Sequence, residues 1–93
     1  MQKIQKIFKA LSMKDALDVY LTIYAGCKIE YYLTFKQIAM KLSLKENTLR
    51  RITNSLSRNK LIKSVSGFSR ERVYVVVDSK LAEKILDMAN PSL

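Results

Sequence analysis

Apolar positions three and four apart open the chain. Ile4, Ile7, Phe8 and Leu11 share one helical face with Lys3, Lys6 and Lys9 opposite, which predicts an amphipathic helix over residues 2–11. Ser12-Met-Lys-Asp15 has the form of a capping box and predicts the start of a second helix, running through Ala25 and closed by Gly26 just past its end. Leu17, Val19, Tyr20, Leu21, Ile23 and Tyr24 make that helix apolar nearly all round, so it belongs at the centre of the fold or at a subunit contact. Tyr31-Tyr32-Leu33 is a short β-prone stretch. Thr34-Phe-Lys-Gln37 is a second capping box, opening a helix to about Leu42 with Phe35, Ile38, Ala39 and Leu42 inward. After a break at Ser43–Lys45, a helix over about 46–59 turns Leu49, Ile52, Thr53 and Leu56 inward. Leu61–Val65 and Arg72–Val77 are rich in β-branched residues and predict two strands joined by Ser66-Gly67-Phe68-Ser69. Asp78 or Ser79 caps a last helix carrying Leu81, Ala82, Ile85, Met88 and Ala89, and Pro91 ends it. The order is α-α-β-α-α-β-β-α, mainly α with a small β-hairpin.

Length and charge sharpen this picture. Ninety-three residues make one small domain, 1–93. Two Gly and one Pro in the whole chain favour helices with short connections. The net charge is +9, and its placement matters more than its sum. Between residues 45 and 72, Lys45, Arg50, Arg51, Arg58, Lys60, Lys63, Arg70 and Arg72 face only Glu46 and Glu71. Residues 73–93, by contrast, are slightly acidic. A solvated helix usually mixes signs; such clustering calls for a polyanionic partner.

The absences narrow the chemistry. No apolar run reaches the about 18 residues of a membrane span, and the N-terminus lacks the features of a secretory signal, so the expected location is intracellular, in the cytoplasm. The chain has no His and a single Cys, Cys27. Imidazole-based nucleophilic catalysis, a Cys-rich zinc site and an intrachain disulfide are therefore excluded. Neither Gly sits in a phosphate-cradling motif. No catalytic residue, cofactor or metal is expected. Asp15 and Asp18 at a helix start serve capping and the macrodipole. Cys27 is a small packing residue, and Tyr20, Tyr24, Tyr31 and Tyr32 belong to the core or a dimer contact rather than a base-stacking platform.

Two short helices joined by a three-residue turn and followed by a hairpin form the pattern of a winged helix-turn-helix. The residues carry a resemblance as well. "IFKALSMKDALDVYLTIYAG" resembles the opening of ArsR-type regulators. "FKQIAMKLSLKENTLRRITNSLSRNKLIKSV" is similar to their helix-turn-helix, and "SRERVYVVV" stands at their wing. The pattern is shared with MarR-type proteins. The resemblance implies a small winged-helix transcriptional regulator that binds double-stranded DNA as a homodimer through its terminal helices. Metal-sensing ArsR proteins carry paired Cys, or His with carboxylates. This chain has neither, so no metal sensing is carried over.

Helix geometry assigns roles to the basic segment. With Leu49, Ile52, Thr53 and Leu56 inward, Asn47, Arg51, Asn54 and Arg58 share the outward face, flanked by Thr48, Arg50 and Ser55. Asn47, Thr48, Arg51, Lys45 and Asn54 are the expected base-reading residues, since Arg pairs with guanine and Asn with adenine edges. Arg50, Arg58 and Lys36 are placed as phosphate contacts, and Arg70 and Arg72 of the wing reach backbone or minor groove. The expected dimer interface is Ile4, Ile7, Phe8, Leu11, Leu81, Ile85 and Met88. A different class of reading makes the domain a protein-interaction module within a transcription or replication assembly, its basic face docking on an acidic partner. A third, a membrane-surface role for the Lys3/Lys6/Lys9 helix, fits poorly with so short an apolar face, and no membrane partner is expected. The sequence does not indicate a small-molecule effector.

Overall fold

The computed structural model describes residues 2–66 and 72–89, with side chains from residue 5 onward. Among these residues the chain forms α1 (Gln2–Leu11), α2 (Ala16–Lys28), α3 (Phe35–Leu42), α4 (Glu46–Arg58), β1 (Ile62–Ser66), β2 (Arg72–Val76) and α5 (Ser79–Ala89). The helix without a polar face, α2, is the hub: α1, α3, α4, α5 and β2 all pack on it. Val19, Tyr20 and Ile23 of α2 are fully buried against Ile38 of α3, Leu49, Ile52 and Leu56 of α4, Ile62 of β1 and Ala82 of α5. Each Leu or Ile so buried stabilises the fold by about 1.5–3 kcal/mol, enough to fix α4 through three side chains on its inner face. Thr53, also buried, donates its hydroxyl to the Arg50 carbonyl and so enters the core with its polar group satisfied.

The capping box at Thr34 forms completely. Its hydroxyl accepts from the Gln37 amide at 3.2 Å, while its own amide donates to Gln37 Oε1 at 3.0 Å. The expected box at Ser12 does not form. The Ser12 amide stays bonded to Phe8 O and its hydroxyl donates to Lys9 O at 2.8 Å, so α1 consumes the residue that was to cap α2. Asp15 takes the N-cap position instead, at φ 67 and without a side-chain cap bond.

Gly26 likewise has another job than closing α2. The helix runs on to Lys28, and the left-handed residue beyond it is Glu30 at φ 57. Gly26 is buried inside the helix, where Tyr31 N donates to its carbonyl at 2.9 Å, and a Cβ there would stand 2.7 Å from Tyr31 O. It is a close-approach glycine. Ser43 and Lys60 take the left-handed turn after α3 and α4, and the amides of Leu44 and Leu61 reach back to Ala39 and Leu56 carbonyls at 2.9 Å.

The hairpin pairs Ile62 with Val76 at its base and Ser66 with Arg72 at its far end. The β-prone stretch after α2, Tyr31-Tyr32-Leu33, is not a strand of the sheet; it contributes the Leu33 carbonyl, which accepts from Tyr74 N at 3.2 Å, and Thr34 next to it makes an isolated bridge to Val73. β2 is thus held on both edges. At the start of α5, Asp78 is the cap, accepting from the Lys80 and Leu81 amides at 3.0 and 3.1 Å. The expected turn at 66–69, beyond Ser66, and the stop at Pro91 lie outside the described residues. Among the described residues no helix is long and apolar enough to cross a membrane.

The core carries one unusual polar atom. The Tyr20 hydroxyl is fully buried and has no hydrogen-bond partner among the described residues. Burial, then the Asp78 carboxylate and Tyr24, push its pKa up to about 12.

Candidate nucleic-acid interface

Because Leu49, Ile52, Thr53 and Leu56 anchor one side of α4, the opposite side is presented to solvent. Asn47, Arg51, Asn54 and Arg58 are exposed there, in a strip about 60° wide at about 100° per residue. They line one shallow groove with Met13, Arg50 and Ser55. Among the described residues the side-chain hydrogen bonds of α4 and its C-cap are those of Thr53 and of Asn59, which donates to Ser55 O. Among the described residues, the strip's amides and guanidinium groups are thus not consumed by hydrogen bonds. Lys45 precedes the helix as its N-cap and supplies no side-chain cap bond, which leaves first-turn amides of α4 available to an anion.

The fold brings further cations to this face from separate elements. Lys36 in the first turn of α3, Arg50 of α4 and Arg72 of β2 line one cleft with Thr34, Phe35, Tyr74 and, among the described residues, a single acid, Glu46. The Arg50 guanidinium lies over the Phe35 ring, 6.0 Å from its centroid, which restrains a long side chain at the cleft's edge. Thr34 sets the cleft's geometry, since it caps α3 and bridges β2 at once. Of the residues singled out from sequence, Lys36, Lys45, Asn47, Arg50, Arg51, Asn54, Arg58 and Arg72 are exposed and Thr48 is half-buried. Arg70 lies outside the described residues.

Sequence reasoning missed three residues. Met13, Lys14 and Asp15, in the connection between α1 and α2, form a groove with Ser43, Leu44, Lys45, Thr48 and Arg51. No local pattern announces this neighbourhood, because it is made by packing α1 and α2 on α4.

The terminal helices form a second feature. Phe8, Leu11, Ser12, Leu17, Ile85, Met88 and Ala89 line an apolar groove bordered by α1, α2 and α5. Phe8 and Met88 are 53% and 63% exposed, while Ile85 is 8% exposed and belongs to the chain's own core. Ile7, Leu11 and Leu81 are half-buried against that core. The Ile4 side chain lies outside the described residues. Among the described residues no cluster of His, Cys, Asp or Glu is arranged to hold a metal ion.

No protein-family model and no curated protein matches the sequence. Solved structures do match the fold. Reduced HlyU from Vibrio cholerae superposes with a TM-score of 0.77 at 15% identity, over 96% of this chain and 90% of that one. The homodimeric winged helix-turn-helix DNA-binding domain of Mb0332 from Mycobacterium bovis, a possible ArsR-family transcriptional regulator, gives 0.80 at 13% identity, over 98% and 79%. The DNA complex of MepR from Staphylococcus aureus gives 0.76 at 20% identity, over 98% and 66%. The chain has the winged helix-turn-helix fold, with α3 and α4 as its two helices and β1–β2 as its wing.

Proposed function

We propose that this protein is a sequence-specific double-stranded DNA-binding transcriptional regulator that works as a homodimer. α4 enters the major groove; Asn47, Thr48, Arg51, Asn54 and Lys45 meet base edges. Lys36, Arg50, Arg58, Arg70 and Arg72 hold the phosphate backbone and fix register. The carrying observation is the separation of faces on α4: an apolar anchor inside, and outside an exposed strip of Asn and Arg whose side chains make no hydrogen bond among the described residues. The fold adds support, because Mb0332 is a homodimeric DNA-binding domain and MepR is seen on DNA. The apolar groove of α1, α2 and α5, with Phe8 and Met88 at its exposed rim, suits a two-fold contact between copies. The same reading places the protein in the cytoplasm.

Selection of bound sequences from a random duplex pool tests the proposal. A defined site with inverted half-sites is the expected result, together with a log K against log[salt] slope of roughly −5 to −9 for about six to ten phosphate contacts per dimer. No binding to naked duplex at physiological salt would overturn it and favour a protein-interaction role for the basic face.

A further inference from the structure

The outward strip of α4 is bordered by two grooves, one on each flank. On one side Glu46 and Arg50 face the cleft with Lys36 and Arg72. On the other, Thr48 and Arg51 face the groove made by the α1–α2 connection, which brings Lys14 beside Lys45. Taking α4 at about 100° per residue, the Asn47/Arg58 direction lies between these two flanks. The grooves are alike in size, about 430 and 420 Å3, as is the shallow groove of the strip itself at about 410 Å3. The two flanking grooves also match in charge: Lys36, Arg50 and Arg72 against Glu46 in one, and Lys14, Lys45 and Arg51 against Asp15 in the other.

A helix about 10–12 Å across fills a B-DNA major groove about 12 Å wide, and the groove's two walls are the phosphates of opposite strands. Whatever borders the inserted helix on its two flanks must therefore meet the two strands separately. We propose that Lys14 is a DNA-contacting residue: its groove holds a phosphate of one strand, while the Lys36/Arg50/Arg72 cleft holds a phosphate of the other. The inference rests on α4 being the recognition helix and adds the second wall of the groove to it.

The local structure suits this role. The connection is short and fixed at both ends, by Ser12 N on Phe8 O and by Ala16 N on Met13 O at 3.0 Å. Met13 is half-buried against the core, and Asp15 takes the left-handed region at φ 67. Lys14 between them is exposed and is held next to the uncapped first turn of α4. A phosphate seated there meets the Lys14 ammonium and first-turn backbone amide donors together.

Single methylphosphonate substitutions, each removing one phosphate charge, test the proposal on a duplex selected for the full-length protein. Against the unmodified protein, substitutions on both strands of each half-site should weaken binding. Lys14→Ala should make binding indifferent to the substitution at one phosphate, and Arg72→Ala should do the same at a phosphate on the opposite strand. Lys14→Ala should also weaken specific and non-specific duplexes alike and make the log–log salt slope shallower by about 1 per protomer, with Lys14→Arg restoring both. If Lys14→Ala binds with unchanged affinity, slope and phosphate profile, or if its phosphate lies on the same strand as that of Arg72, the assignment is overturned while the role of α4 stands. If the unmodified protein binds no duplex, both fall.

Discussion

Replacing Tyr20 by Phe removes one atom from the middle of the fold and should stabilise it. The Tyr20 hydroxyl is buried with no hydrogen-bond partner among the described residues, and the ring itself is fully packed. Phenylalanine keeps that packing and removes the desolvation cost of the hydroxyl, about 1–3 kcal/mol for a buried unsatisfied polar group. For a domain of this length, 1 kcal/mol raises the midpoint of thermal unfolding by about 4–8 °C. The pH dependence gives an independent check. Tyr20 has its pKa raised from 10.0 to about 12 by burial first, then by the Asp78 carboxylate and Tyr24. The unfolded chain therefore ionises Tyr20 at lower pH than the folded one does, and the stability attached to the neutral phenol is intact below pH 10 and lost as pH climbs toward 12. Since one pKa unit corresponds to about 1.4 kcal/mol, the advantage of Tyr20→Phe should widen by about 1 kcal/mol between pH 9 and pH 11. Urea unfolding of both proteins at several pH values measures this difference, in which the other titrating groups cancel. A Tyr20→Phe protein less stable than the parent would show that the hydroxyl is satisfied in the folded state, and a difference that does not widen at high pH would show that the fold does not hold the phenol neutral; either result refutes its part of the reasoning.

Three further outcomes are expected. Arg51→Ala should cost about 1–3 kcal/mol on the selected site and relax its sequence preference, whereas Arg72→Ala should weaken all sequences about equally; binding titrations on matched and mismatched duplexes separate the two. Phe8→Glu combined with Met88→Glu should give folded monomers by sedimentation equilibrium, because both side chains are exposed in the single chain; an unchanged dimer would move the interface elsewhere. Gly26→Ala should destabilise by about 1–3 kcal/mol in thermal unfolding, since its Cβ would overpack the Tyr31 carbonyl at 2.7 Å.

What the sequence disclosed, and what it hid, divides by the range of the interaction. The Thr34 box was legible because both partners lie within one helical turn and nothing else competes for them. Ser12 and Asp15 show the same local spelling, but α1 ends on Ser12 and claims both its amide and its hydroxyl. Gly26 followed the usual sign of a helix end, yet its constraint comes from the Tyr31 carbonyl, which only the returning chain supplies. The inner face of α4 was readable from its period, as were the exposed Asn and Arg opposite it. Lys14 was not, because its place beside Lys45 and Arg51 depends on how α1 and α2 pack on α4. The terminal strips were read as one apolar surface, whereas Ile85 already lies in the chain's own core and Phe8 and Met88 remain outside it.

Thr34 joins two regions that are far apart in sequence. Its side chain and amide close the first turn of α3, its carbonyl accepts from Ile38 N at 3.0 Å, and its backbone bridges Val73 of the wing. In terms of local unfolding, the outer half of β2 cannot detach without also disturbing the N-terminus of α3. The two therefore belong to one cooperative opening unit, and the amides of Ile38 and Tyr74 should exchange with solvent through a common event. The lifetime of that unit, rather than the strength of any single cation, then limits how long Lys36 and Arg72 keep their spacing.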